Sequence, residues 1–145
     1  MSCTRHEPID LAIARVARST NRVITWRQLV ELGVSRRAAA HRVRRGRLFR
    51  WHRGVYLLDP PERAERITLF TAAVAACGEG AFLSHRSAAE LWGLTDRGGG
   101  EVHVTAVGRN PGAREGIRRH RAAAVDDRDV RTVRGILVSS AARML

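Results

Sequence analysis

Between Ser35 and Arg53 the chain sets Arg36, Arg37, His41, Arg42, Arg44, Arg45, Arg47, Arg50, His52 and Arg53 in close succession, with no acidic residue among them. A guanidinium is a planar, permanently charged fork that matches the oxygens of phosphate and the acceptor edge of guanine. The chemistry such a run can do is recognition of a polyanion rather than bond-making.

The neighbouring residues supply elements to hold these side chains. Thr25 followed by Gln28 has the spacing of a capping box and predicts a helix from Trp26, with Leu29, Val30 and Leu32 as its apolar side and Gly33 as its stop. Ser35 is a second N-cap, opening a helix over Arg36 to Arg45 that Gly46 ends. Two short helices joined by a glycine-containing turn make a helix-turn-helix, whose second helix enters the major groove of DNA. The helical period turns Ala39, Ala40 and Val43 toward the domain and Arg37, His41, Arg44 and Arg45 outward. Beyond Gly46, Arg47–Arg53 and Val55–Leu58 read as two strands turning near Arg53-Gly54, with Leu48, Val55 and Leu57 inward; this is a wing. Trp51 can lie outward against sugar or pack on the region that follows. Arginines on a wing contact phosphate, which fixes register without reading sequence.

Upstream, Pro8 opens a first helix carrying Ile9, Leu11, Ala12, Ile13, Val16 and Ala17 to about Arg18, and Val23-Ile24 forms a very short strand. Asp59-Pro60-Pro61 is a hinge, since two prolines rule out helix or central strand there. The expected organisation is therefore a winged helix-turn-helix over 1–59 and a second α/β region over 60–145. In the latter, a long helix runs from Glu62 to Cys77, and a short one is capped by Ser84 and stopped by Gly93. Strands follow at Glu101–Val107 and Gly116–Arg121, with a hairpin over Val130–Val138 turning at Arg134-Gly135. The fold class is α/β in the α+β sense, with a small antiparallel sheet in the second region. Gly108–Gly112 is a loop of chain breakers, and Ser139-Ser140 caps a final turn of helix at Ala141–Leu145.

The 145 residues carry 26 basic against 14 acidic side chains, a formal charge of +12, and every basic residue is arginine. Such a balance favours nucleic acid or an anionic surface as partner. No apolar run is long enough to span a bilayer and the N-terminus lacks a signal-peptide core, so a cytoplasmic protein is expected. Cys3 and Cys77 form no metal or disulfide pattern. Asp126, Asp127 and Asp129 read as a solvated loop, and His103 and His120 could meet across strands without a third ligand, so no metal, cofactor or catalytic residue is assigned. His85 reads as a structural residue in the first turn of its helix.

The segments V23-I-T-W-R-Q-L-V-E-L-G-V-S-R-R-A, R45-G-R-L-F-R-W-H-R-G-V-Y56, L83-S-H-R-S-A-A-E-L-W-G-L94 and G135-I-L-V-S-S-A-A-R143 together resemble the N-terminal region of AbiEi-family antitoxins of bacterial type IV toxin–antitoxin, phage-defence systems. The same region resembles that of proteins in which it precedes a Vsr-like endonuclease. The resemblance implies a repressor that binds operator repeats of its own operon in double-stranded DNA, as monomer or dimer on inverted repeats. It also implies a cognate nucleotidyltransferase-like toxin as a second partner. It puts Ser35, Arg36, Arg37, Arg42 and Arg45 on the reading helix and Arg47, Arg50, His52 and Arg53 on the wing. Such relatives continue well past the position of Leu145, so the second region reads as shortened. The alternative is a non-catalytic DNA-recognition module truncated from a Vsr-like nuclease, a nuclease type that usually employs a lysine, which this chain lacks.

Overall fold

A computed structural model describes residues 7–95, 99–108 and 114–144. Cys3 and all of the Gly108–Gly112 loop except Gly108 lie outside these residues. Helix α1 (Ile9–Arg18) follows Pro8 and leads into strand β1 (Val23–Thr25). Helix α2 (Trp26–Glu31) starts on the expected capping box: the Gln28 N–H donates to Thr25 Oγ1 at 3.2 Å, and the Thr25 N–H donates to Gln28 Oε1 at 2.9 Å. Gly33, at φ +83°, closes that segment in the left-handed conformation that favours glycine. Helix α3 (Arg36–Arg44) takes Ser35 as its N-cap, whose Oγ accepts from the Ala38 N–H at 3.1 Å.

Strands β2 (Phe49–His52) and β3 (Val55–Leu57) form the wing hairpin, and β1 pairs with the other side of β3 to give a three-stranded antiparallel sheet in the order β1-β3-β2. Ile13, Ile24, Leu29, Val34, Ala39 and Leu48 make the core beneath α1, α2 and α3. The helical pair and the wing are tied directly, because the Trp26 N–H donates to the Gly54 carbonyl at 2.8 Å.

The corner at Pro60-Pro61 opens only a 3-10 turn (Pro61–Arg63). Extended backbone at Ala64 and Glu65 then resets the direction, so helix α4 runs Arg66–Ala76, four residues later than its expected start at Glu62. Asp59 does not swing free, since its carboxylate pairs with Arg22. Helix α4 is the central element. Ala72, with Leu69, Ala75 and Ala76, packs on Val23, Val55 and Leu57 of the wing sheet. Phe70, Ala73 and Cys77 instead enter the core of the second region, against Leu83, Val104 and Val138. Burial raises the Cys77 thiol above its ordinary range, as a sulfur used for packing requires.

The second region holds strand β4 (Phe82–Leu83), helix α5 (His85–Leu91), strands β5 (Val102–Val107) and β6 (Ile117–Ala122), a 3-10 turn (Asp127–Asp129), strands β7 (Val130–Val133) and β8 (Ile136–Ser139), and helix α6 (Ala141–Met144). Its sheet has the order β6-β5-β4-β8-β7. The expectation of an antiparallel sheet is corrected: β5 pairs with β6, and β4 with β8, in parallel. Alternation of apolar residues reports that a segment is a strand with one buried face, but not which end of its neighbour it starts from. The β7–β8 hairpin turns as expected, with Arg134 at φ +51° and Gly135 at φ +80°, the pair of positive φ values that a type I′ turn demands. The acidic stretch stays solvent-exposed at Asp126 and Asp127, and within it Asp126 Oδ1 accepts from the Arg128 N–H at 2.9 Å and caps the 3-10 turn.

The two sheets are also joined by polar contacts. Thr68 Oγ1 donates to the Asn21 carbonyl at 2.8 Å, and Asn21 Nδ2 donates to Thr71 Oγ1 at 2.9 Å and to the Arg134 carbonyl at 3.1 Å. A fully buried alanine at Ala72 leaves no room for a larger side chain. Ala72→Leu should therefore lower the unfolding free energy by about 1–3 kcal/mol, the usual cost of overpacking. Denaturant unfolding followed separately at Trp51 and Trp92 should show both midpoints falling together, since each packs in a core that α4 enters.

Candidate nucleic-acid interface

Helix α3 exposes Arg36, Arg37, Ala40, His41, Val43 and Arg44, and the exposed Arg45 and Arg47 continue past its end. Exposed Arg50 and Arg53 extend the basic surface onto the wing. Ser35, also exposed, spends its hydroxyl on the α3 cap. The Arg36 guanidinium lies 4.9 Å from the ring centroid of Trp26, a cation–π contact that restrains it beside the first turn of α2. Between α3 and the wing is a shallow recess of about 340 Å³, lined by Trp26, Ala40, Val43 and Tyr56 with Arg36, Arg44 and Arg50.

Three sequence-based placements change. Ala40 and Val43 do not face the domain; Ala39 alone of the three expected residues is buried, and Val43 is 36% exposed. The helix meets its core along Ala39 with Ala38 and Arg42 at its flanks, so the outward arc is rotated from the one that apolarity suggests. Arg42, which the family resemblance puts on the reading helix, is not available there: its side chain is only 16% exposed and its Nε donates to Asp10 Oδ1 of α1 at 2.9 Å. Arg47 shares the same carboxylate at 3.0 Å while staying exposed. His52 leaves the wing surface altogether. A bulge between Arg50 and His52 brings His52 opposite Val55, and residues opposite each other share a face, here the inner one. Trp51, left open between sugar contact and packing, joins the cluster formed by Val23, Val55, Leu57 and Ala72.

A second cluster lies outside this surface. His103 Nδ1 and His120 Nε2 are 3.1 Å apart, so the two rings meet across β5 and β6 through a single shared proton. His85 stacks on His120 with ring centroids 3.7 Å apart, and its Nδ1 lies 3.1 Å from Ser84 Oγ, which itself accepts from Thr105 Oγ1 at 2.7 Å. Ser84 therefore marks the N-terminus of α5 by position, while its side chain turns to this network instead of capping the helix. His85 takes a left-handed backbone at φ +52°, rare for a residue with a β-carbon. Among the described residues, no group of three histidine, cysteine or acidic side chains is disposed to hold a metal. Spacing in the sequence gave no signal for the third ring, because His85 precedes β5 and reaches the pair only through the sheet order.

Burial, more than the neighbouring charges, holds His52, His103 and His120 below the ordinary histidine value; His85 adds to the effect for the latter two and Arg114 for His52.

An N-terminal three-helix unit with a glycine-closed turn, an arginine-rich third helix and a β-hairpin beside it defines a winged helix-turn-helix. Residues 12–58, from within α1 to the residue after β3, match the family model described as Transcriptional regulator, AbiEi antitoxin. No curated protein matches the chain. The matched segment contains the whole exposed basic surface of α3 and the wing.

Two outcomes follow from these placements. Arg42→Ala should lower stability by up to about 1 kcal/mol, the range of a partly exposed ion pair, as measured by urea unfolding. Arg37→Ala should leave stability within about 0.5 kcal/mol, as for an ordinary surface change. The second outcome concerns pH. A histidine whose folded-state pKa is lowered favours the neutral form, so its contribution is complete above the unfolded value of about 6.5 and is lost as pH falls below it. Thermal midpoints should therefore fall between pH 7.5 and 5, and His120→Gln should flatten that fall.

Proposed function

We propose that this protein is a DNA-binding transcriptional regulator of AbiEi antitoxin type that binds operator DNA upstream of its own operon. The observation that carries the reading is the exposure, on one helix capped by Ser35, of Arg36, Arg37, His41 and Arg44 with no acid between them, inside the segment matching a regulator family. In this arrangement α3 lies in the major groove, with Arg37, His41 and Arg44 toward base edges. Arg45, Arg47, Arg50 and Arg53 hold phosphates and fix register. The function needs no cofactor or catalytic group, and the protein acts in the cytoplasm, where its operator is. A nucleotidyltransferase-like toxin is the expected second partner, met by the region beyond Pro61.

Binding of the purified protein to its own upstream duplex and to an unrelated duplex, titrated over a range of salt, tests this directly. A preference for the upstream duplex that persists as salt rises is expected. Equal and steeply salt-dependent binding to both would show a general polycation and overturn the reading. Arg37→Ala or Arg44→Ala should cost about 1–3 kcal/mol and relax specificity at one base pair. Arg50→Ala or Arg53→Ala should weaken binding to all duplexes and reduce the slope of log affinity against log salt by about one each.

A further inference from the structure

The outward arc of α3 is not wholly cationic. Ala40 and Val43 stand exposed in it, and Trp26 and Tyr56 continue an apolar floor from α3 toward the wing, ringed by arginines. Val43 sits one turn beyond Ala39 at the edge of the buried stripe, and the part of it left exposed turns with Ala40 toward the recess rather than into the core of Ala39, Leu29 and Val34. Within a major groove, the group that fits such a floor is the 5-methyl of thymine, the one apolar feature that base edges present there. Ala40 is small enough to admit the base edge, and Val43 supplies the wall that the methyl touches.

We infer that Ala40 and Val43 read a thymine methyl, making an A·T pair in the operator a determinant of specificity alongside the guanidinium contacts. The inference rests on the DNA-binding reading and adds to it a base and the residues that select it. The arginines around the recess hydrogen-bond to base-edge acceptors and phosphates, neither of which reports the methyl. The apolar floor distinguishes thymine from cytosine, which puts a hydrogen and an amine where thymine has a methyl and a carbonyl.

The test uses the full chain. Duplexes selected from a random pool define the preferred site, and each thymine in it is then replaced by uracil, which removes the methyl and nothing else. At one position the substitution should weaken binding by about threefold to tenfold, the worth of one buried methyl-sized group. In Val43→Ala, checked for unchanged helical content, the ratio of thymine to uracil affinity at that position should fall toward one. No selected site at all would count against the DNA-recognition reading itself. A selected site with no uracil-sensitive position, or one whose sensitivity Val43→Ala leaves intact, would overturn this inference while sparing that reading. A loss in Val43→Ala that is equal for thymine and uracil duplexes would assign the valine to sugar contact and overturn it likewise.

Discussion

Helix α4 has to lie against two sheets at once, and alanine makes that possible. Ala72, Ala75 and Ala76 let the wing sheet approach, while Ala73 on the adjoining stripe lets the second sheet do the same. A helix covered on two sides cannot carry polar groups unless they are bonded. Thr68 and Thr71 meet this condition by bonding to Asn21 and to α4's own Ile67 carbonyl. Because β3 is both the centre of the wing sheet and a seat of α4, the wing inherits its position from the body of the protein. The basic surface is consequently held on two sides, by the α2 cap at Gly54 and by α4 under β3.

That arrangement bears on how the halves of the chain can influence each other. The β7–β8 turn reaches the α1–β1 turn through the Arg134 carbonyl and Asn21, so the far edge of the second sheet is bonded to the helix-turn-helix unit. Anything that shifts this hairpin or α4 must strain or break a small number of identifiable hydrogen bonds. The mutual packing of the helix-turn-helix unit and the second region is thus a property of side chains already named, with Asp59 and Arg22 closing the corner between them.

The local features were legible in the sequence because their determinants are local. Capping boxes, left-handed glycines and a type I′ turn depend on residues within a few positions, and the elements they predicted formed at Trp26, Arg36 and Arg134-Gly135. What failed to show depended on distant partners. The inward turn of His52 results from one extra residue opposite Tyr56 and Val55, and a bulge has no signature in the pattern of β2 alone. The engagement of Arg42 depends on Asp10, a carboxylate on α1 far from it in sequence. Strand β4, only Phe82–Leu83, is too short to alternate, yet it bridges two strands and decides which side chains meet His103 and His120. Parallel pairing of β5 and β6 escaped for the same reason.

The permanent charge on α3 and the wing is carried by arginine. Guanidinium does not release its proton at any pH compatible with folding and offers no amine for acylation. The guanidinium share of this surface's attraction for a polyanion is therefore fixed in amount, beyond the reach of acidity or of enzymes that acetylate lysine. The histidines that burial holds below their ordinary value lie away from it, at His103 and His120 in the second sheet and at His52 beneath the wing. Acidity acts on the cohesion of the molecule, while the arginine charge of its basic face stays constant until the fold itself gives way.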